Sequence, residues 1–157
     1  MVVRFQGISE VWRDRTRGLG LDIGDKRIGV ALSDPDGILA SPLTIINRTE
    51  ERLDIETITN IVNQHQVKQI IVGLPRSMDG TIGKQAEKVK AFTRILCQHT
   101  QVPIEFRDER LSTVSAKHLM QAVSKKTRKK ARDDAIAAAI ILQGYLDEEH
   151  EASQTLG

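Results

Sequence analysis

The chain has 157 residues, 39% of them hydrophobic and 28% charged, a balance that supports one core-forming domain and excludes wholesale disorder. Its 23 Lys and Arg against 21 Asp and Glu leave a net charge of +2, so only segregation of charge along the chain would mark a polyanionic partner. The lone cysteine, Cys97, excludes an internal disulfide framework and a cysteine-rich zinc site, fits a reducing compartment, and is expected to be buried in a helix.

Residues 1–17 carry Arg4, Glu10, Arg13, Asp14, Arg15 and Arg17 and no apolar run of signal-peptide length, and no later stretch has the length and apolarity of a membrane span. The expectation is a cytoplasmic protein with no membrane partner. Residues 1–17 read as a flexible N-terminal extension, residues 18–146 as the folded domain, and residues 147–157 as a flexible acidic tail that frays.

From Gly18 to Ile23, Leu19, Leu21 and Ile23 alternate with Gly20 and Asp22, the period of a strand with one apolar face, so Asp22 points to the other face beside glycines. A tight link at Gly24-Asp25-Lys26 leads into Arg27–Ser33, which alternates large apolar with small residues and pairs with the first strand as a hairpin. After the turn formers Asp34-Pro35-Asp36-Gly37, residues Pro42–Ile46 form a third strand.

Leu53, Ile55, Ile58, Ile61 and Val62 then recur at helical spacing up to His65, and Gln69–Leu74 contains the apolar run of a strand covered on both faces. A glycine-containing loop spans Gly73–Gly83. Ala86–His99 is helical in pattern, Val102–Glu109 is a strand, and Ser112 or Thr113 caps a helix running to about Val123. Asp134–Leu146 is apolar nearly all round, as required of a buried helix. Three antiparallel strands continued by helix-connected parallel strands give an α/β fold: three layers, α/β/α, around a mixed five-stranded sheet.

Asp22 on the first strand, Glu109 at the end of the last and Asp134 at the start of the last helix converge if the first strand is central. Carboxylates without a histidine or cysteine cluster are hard ligands that suit Mg2+ or Mn2+ rather than zinc, and two such ions about 4 Å apart support phosphodiester hydrolysis. Each acid also has a plainer reading. Glycines at 20 and 24 either leave room for a metal and a sugar-phosphate backbone or ease a bend; Asp134, like its neighbour Asp133, is placed to cap a helix; Glu109 is placed to pair with Arg110 at the surface.

Charge is most segregated at Lys125, Lys126, Arg128, Lys129, Lys130 and Arg132, immediately before Asp134, where it is either a solvated run or a phosphate-binding segment. Lys26 and Arg27 in the hairpin link, and Arg76 and Lys84 flanking the glycine loop, are further candidate phosphate contacts, as is Arg110. Aromatic residues are 3% and scattered, which disfavours a base-stacking platform and favours recognition of backbone charge and shape.

Together, Gly18-Leu-Gly-Leu-Asp-Ile-Gly-Asp-Lys-Arg-Ile-Gly-Val-Ala, Ile71-Val-Gly-Leu-Pro with Asp79-Gly80 and Gly83, Asp108-Glu-Arg-Leu-Ser-Thr, and Asp134 with Ala137-Ala-Ala-Ile-Ile-Leu-Gln-Gly-Tyr-Leu closely resemble the bacterial YqgF family of RNase H-like proteins. The resemblance covers about Gly18 to Leu146. It implies that Asp22, Glu109 and Asp134 are the catalytic and metal-binding acids of an Mg2+- or Mn2+-dependent endonuclease with two ions, acting in 5′-end maturation of pre-16S rRNA. Precursor rRNA is the favoured partner and branched DNA the other, with a monomer or weak homodimer as the assembly. The alternatives are a Holliday-junction DNA resolvase and a non-catalytic RNA-binding ribosome-assembly factor. An ATPase of the actin and sugar-kinase class also opens on an Asp-x-Gly strand and hairpin, but it needs two such domains, and this chain has length for one and no P-loop pattern.

Overall fold

Alternation of apolar and small residues produces two long hairpin strands, β1 (Gly18–Ile23) and β2 (Arg27–Ser33), followed by β3 (Ala40–Asn47). The computed structural model describes residues 17–75, 83–108 and 130–156. The remaining elements are α1 (Glu51–Gln64), β4 (Gln69–Leu74), α2 (Lys84–His99), β5 (Ile104–Asp108) and α3 (Lys130–Leu156). The N-terminal extension and the helix expected from Ser112 to Val123 fall outside the described residues.

The strand order is β3-β2-β1-β4-β5, with β1 central as the convergence of the acids requires. β1 pairs antiparallel with β2 and parallel with β4; β2 and β3 are antiparallel, β4 and β5 parallel. The parallel strands β1, β4 and β5 therefore all end at the same edge of the sheet. There β5 delivers the chain at Asp108, the register partner of Leu74.

The sheet is covered on both faces. Leu19, Leu21, Ile23, Ile28, Val30, Ile70 and Val72 pack with Ile55, Ile58 and Val62 of α1 and Val89, Phe92 and Leu96 of α2. On the opposite face Ala31, Ala40 and Ile71 pack against Ile136, Ala138, Ala139, Ile140, Ile141, Leu142 and Leu146 of α3. This is the expected three-layer arrangement. Cys97 departs from expectation: it is exposed, because the buried stripe of α2 runs through Ala86, Val89, Phe92, Thr93 and Leu96, and the next position turns outward.

Helix α3 also departs from expectation, continuing through residues 147–156, which had the composition of a fraying tail. Polar contacts hold its later turns. Gln143, buried, accepts from Ala40 N at 2.8 Å through Oε1 and donates to Ile38 O at 2.9 Å and Asp147 Oδ1 at 3.0 Å through Nε2, tying the helix to the start of β3. One turn on, Arg107 Nη1 of β5 lies 2.6 Å from Glu148 Oε2. Burial, then the charges of Glu149 and Glu105, push the Tyr145 phenol up to about 12, so it stays neutral near pH 7.

The Arg107 hydrogen bond holds the Glu148 carboxyl below its usual value of 4.5. A depressed carboxylate stabilises the fold above its unfolded pKa and loses that contribution as pH falls through the folded value. Because Glu148 is largely exposed, screening limits the effect to about 0.5 kcal/mol. Arg107→Met should therefore be slightly less stable than wild type to urea near pH 7. That difference should shrink as the pH falls below 4.5 and through the lowered folded value, as the Glu148 carboxylate takes up its proton; a difference as large in acid as at neutrality would rule the ion pair out as its source.

Candidate active site

The face of β1 opposite the α1–α2 layer carries Gly18, Gly20 and Asp22, and α3 lies directly on it. A methyl group built on Gly18 would lie 3.1 Å from Leu142 Cδ1; one on Gly20 would lie 2.6 Å from Ala138 O and 2.8 Å from Leu142 Cβ. The next step along this face is Asp22, whose partner across the hairpin is Gly29. A methyl group on Gly29 would overlap the carbonyl group of Asp134. Four helix residues rise about 6 Å and two strand residues about 6.7 Å, so Leu142, Ala138 and Asp134 stay in step with Gly18, Gly20 and the Asp22–Gly29 pair. The N-terminal part of α3 is thereby set down beside Asp22.

Of the two readings of the glycines, the one that opens space for a ligand is excluded. The space at Gly20 is filled by Ala138 and Leu142, and at Gly24 a methyl group would meet Arg27 O at 2.8 Å, so neither opens a path for a metal or a nucleic acid backbone. They serve helix seating and a tight hairpin turn. In that turn Gly24 N donates to Arg27 O at 2.9 Å.

The plain reading of Asp134 as a helix cap is also set aside. Helix α3 begins at Lys130, so Asp134 lies one turn inside it, past the free N–H groups that a cap satisfies. Its Oδ2 instead accepts a hydrogen bond from Arg27 Nε at 2.8 Å. Arg27 shares a face of β2 with Gly29 by strand alternation, which puts its guanidinium on the α3 side. The sequence reading grouped Arg27 with Lys26 as phosphate contacts and missed this pair. The signal was present, since Arg27 and Gly29 stand two apart in a strand.

Asp22 is partly exposed at this edge and Lys26 is exposed in the hairpin link. Lys84 is exposed as the first residue of α2, and one turn on Lys88 Nζ lies 3.4 Å from Asp25 Oδ1, which brings the N-terminal end of α2 alongside that link. A second arginine missed from sequence anchors the hairpin turn. Arg48 Nη1 donates to Gly24 O at 3.0 Å, its Nε faces buried Asp54 Oδ2 at 3.4 Å, and its guanidinium lies 5.0 Å from the centroid of the Phe92 ring. Its position joins the turn after Asp22 to α1 and α2.

Thus the structure brings together Asp22, Asp134 and Arg27, with Lys26 and Lys84 nearby. Glu109, Arg110, Arg76, Lys125, Lys126, Arg128 and Lys129 lie outside the described residues, while Lys130 and Arg132 are described only as helical backbone opening α3. Among the described residues no group of three His, Cys, Asp or Glu side chains is placed to hold a metal, and no helix is long and apolar enough to cross a membrane.

A family model described as "RuvX: Holliday junction resolvase" matches residues 16–148. A protein of Dehalococcoides mccartyi is 55% identical over 126 residues, covering 80% of this chain and 94% of its own length. One of Desulforamulus reducens is 48% identical over 132 residues, covering 83% and 96%. Both are named as candidate pre-16S rRNA nucleases. Among solved structures, Thermus thermophilus RuvC in complex with a Holliday junction substrate aligns with a TM-score of 0.55 at 11% identity, covering 87% of this chain and 96% of that one. The fowlpox virus resolvase bound to Holliday junction DNA aligns with a TM-score of 0.54 at 12% identity, covering 85% and 98%. At such identities these structures speak for the RNase H-like fold alone. The match along the sequence itself goes further: the chain belongs to the RuvX, or YqgF, family of Holliday-junction-resolvase-like nucleases.

Proposed function

We propose that this protein is a metal-dependent endonuclease that hydrolyses phosphodiester bonds in precursor ribosomal RNA, in 5′-end maturation of 16S rRNA. The observation that carries the reading is the seating of α3 on the glycine face of β1, which lays the stretch of that helix holding Asp134 over the Asp22–Gly29 pair, at the edge where β5 ends at Asp108. The names of the relatives support the choice of RNA.

The donors fit a hard cation. Asp22 and Asp134 offer carboxylate oxygens on one face of the sheet, and Glu109, the next residue after β5, completes the set in this proposal. Bound there, Mg2+ or Mn2+, two ions in the full arrangement, would acidify an attacking water and neutralise charge on the scissile phosphate. Lys26, Lys84 and the basic segment Lys125–Arg132 hold the sugar-phosphate backbone, and their charges make binding fall with salt. One copy carries the whole proposed set, so a monomer suffices for RNA. The two symmetric incisions of a junction would require a dimer. Cytoplasmic residence follows from the substrate.

Junction DNA is the second reading, favoured by the family description. Purified protein with Mn2+ or Mg2+ should cut precursor 16S rRNA near the mature 5′ end and leave a four-way DNA junction largely intact. Cleavage of the junction alone would replace the RNA reading. RNA binding without cleavage of either substrate would point instead to an assembly factor that has kept the fold.

A further inference from the structure

The Arg27–Asp134 pair is formed at 2.8 Å by side chains that are 42% and 32% exposed. A pair this accessible adds little to stability. The fold has no need of it for seating α3, which the glycine face and Gln143 already fix. Its place beside Asp22 is what distinguishes it. Arg27 engages Oδ2 of a carboxylate assigned above to a cation, and a guanidinium cannot shed its charge near neutral pH. A second positive charge reaching that oxygen must either displace Arg27 or accept its repulsion.

We propose that Arg27 is a positioning residue that competes with the divalent cation for Asp134. It thereby sets the cation affinity of the site, and it passes to a substrate phosphate when it yields the carboxylate. The inference rests on the carboxylate-site reading above. A guanidinium suits both roles, since its planar fork matches carboxylate and phosphate oxygens alike. Arg27 at the first residue of β2 is held in reach of Asp134 by its neighbour Gly29, whose missing side chain lets the helix backbone approach. The exchange couples two events: a site with its cation bound has a free arginine for RNA, and a site without it ties the arginine down.

The test is Mn2+ binding by the full chain, read from loss of the electron paramagnetic resonance signal of free Mn2+, with no turnover involved. Arg27→Gln should bind Mn2+ about three- to tenfold more tightly than wild type, a modest gain because the pair is partly solvated. Arg27→Lys keeps the charge and should stay near wild type. Asp22→Asn should weaken Mn2+ binding at least about tenfold, since it removes a hard oxygen ligand. For RNA, measured with cation present, Arg27→Gln should lower the slope of log Kd against log salt by about 1, the signature of one lost phosphate contact.

If Asp22→Asn binds Mn2+ as wild type does, the carboxylate site itself is wrong and the proposal falls with it. If Asp22→Asn is impaired while Arg27→Gln is unchanged or weaker, the site stands and the competition is overturned. Tighter binding by Arg27→Lys as well as by Arg27→Gln would show that charge is not the cause. An unchanged salt slope would overturn the transfer to phosphate.

Discussion

Asp22→Asn is expected to lower RNA cleavage at least ~10³-fold while leaving the thermal unfolding midpoint close to that of wild type. The substitution preserves shape and removes the charge by which the side chain would serve as a hard ligand in the proposed cation site. The fold should tolerate it because Asp22 is partly exposed at the end of β1, beyond the stretch where Gly18 and Gly20 bear the weight of α3. Asp25→Asn is the matched control. It lies three residues away in the hairpin link, where its carboxylate pairs with Lys88 at 3.4 Å and is 61% exposed. That variant should cleave as wild type does, since an exposed pair of this kind contributes little. Equal loss in both variants would trace the effect to the general charge of this edge. Full activity in Asp22→Asn would remove the residue from the chemistry.

The sequence made the sheet legible because its signals are local. Period-2 alternation in Gly18–Ile23 and Arg27–Ser33, with a short link between them, leaves little choice but a hairpin, and the apolar run in Gln69–Leu74 marks a strand buried on both faces. The side of β1 that carries Asp22 followed from the same alternation. What escaped was how individual side chains meet between elements far apart in sequence. Which object fills the space above Gly20 depends on Ala138 and Leu142, more than a hundred residues on, so the local sequence leaves a ligand opening and a backbone bend equally open and does not show the seat for a helix. The polar end of α3 shows no apolar period to mark it, and its anchors, Arg107 and Gln143, are read only once β5 and β3 are in place. Asp134 admits a reading as a cap because the expected helix starts at Asp134, one turn later than the observed start at Lys130. The joint recurrence of the acids in the order of a known family carried what no single residue did.

The largest effect on stability is expected from Gly29→Ala. Its added methyl group would occupy the position of the Asp134 carbonyl, a backbone group that has no rotamer to escape into, so either β2 or the start of α3 has to move. Overpacking of this kind costs typically 1–3 kcal/mol, and the extent of the overlap with backbone puts Gly29→Ala at about 3 kcal/mol or more. For a chain of 157 residues that corresponds to a fall of roughly 6–12 °C in Tm. Gly144→Ala supplies the comparison. Its methyl group would meet Arg107 Nε at 2.8 Å, the far end of a flexible side chain that can shift at the cost of a partly exposed ion pair, about 1 kcal/mol. Thermal melts of the two variants should therefore separate clearly. The same displacement carries Asp134 away from Asp22, so Gly29→Ala should lose cleavage even at temperatures where it remains folded, whereas Gly144→Ala should keep it. If the two variants melt together, the glycine at position 29 is not what seats the helix. If Gly29→Ala melts early but cleaves normally, the distance between the two carboxylates is not what the chemistry depends on.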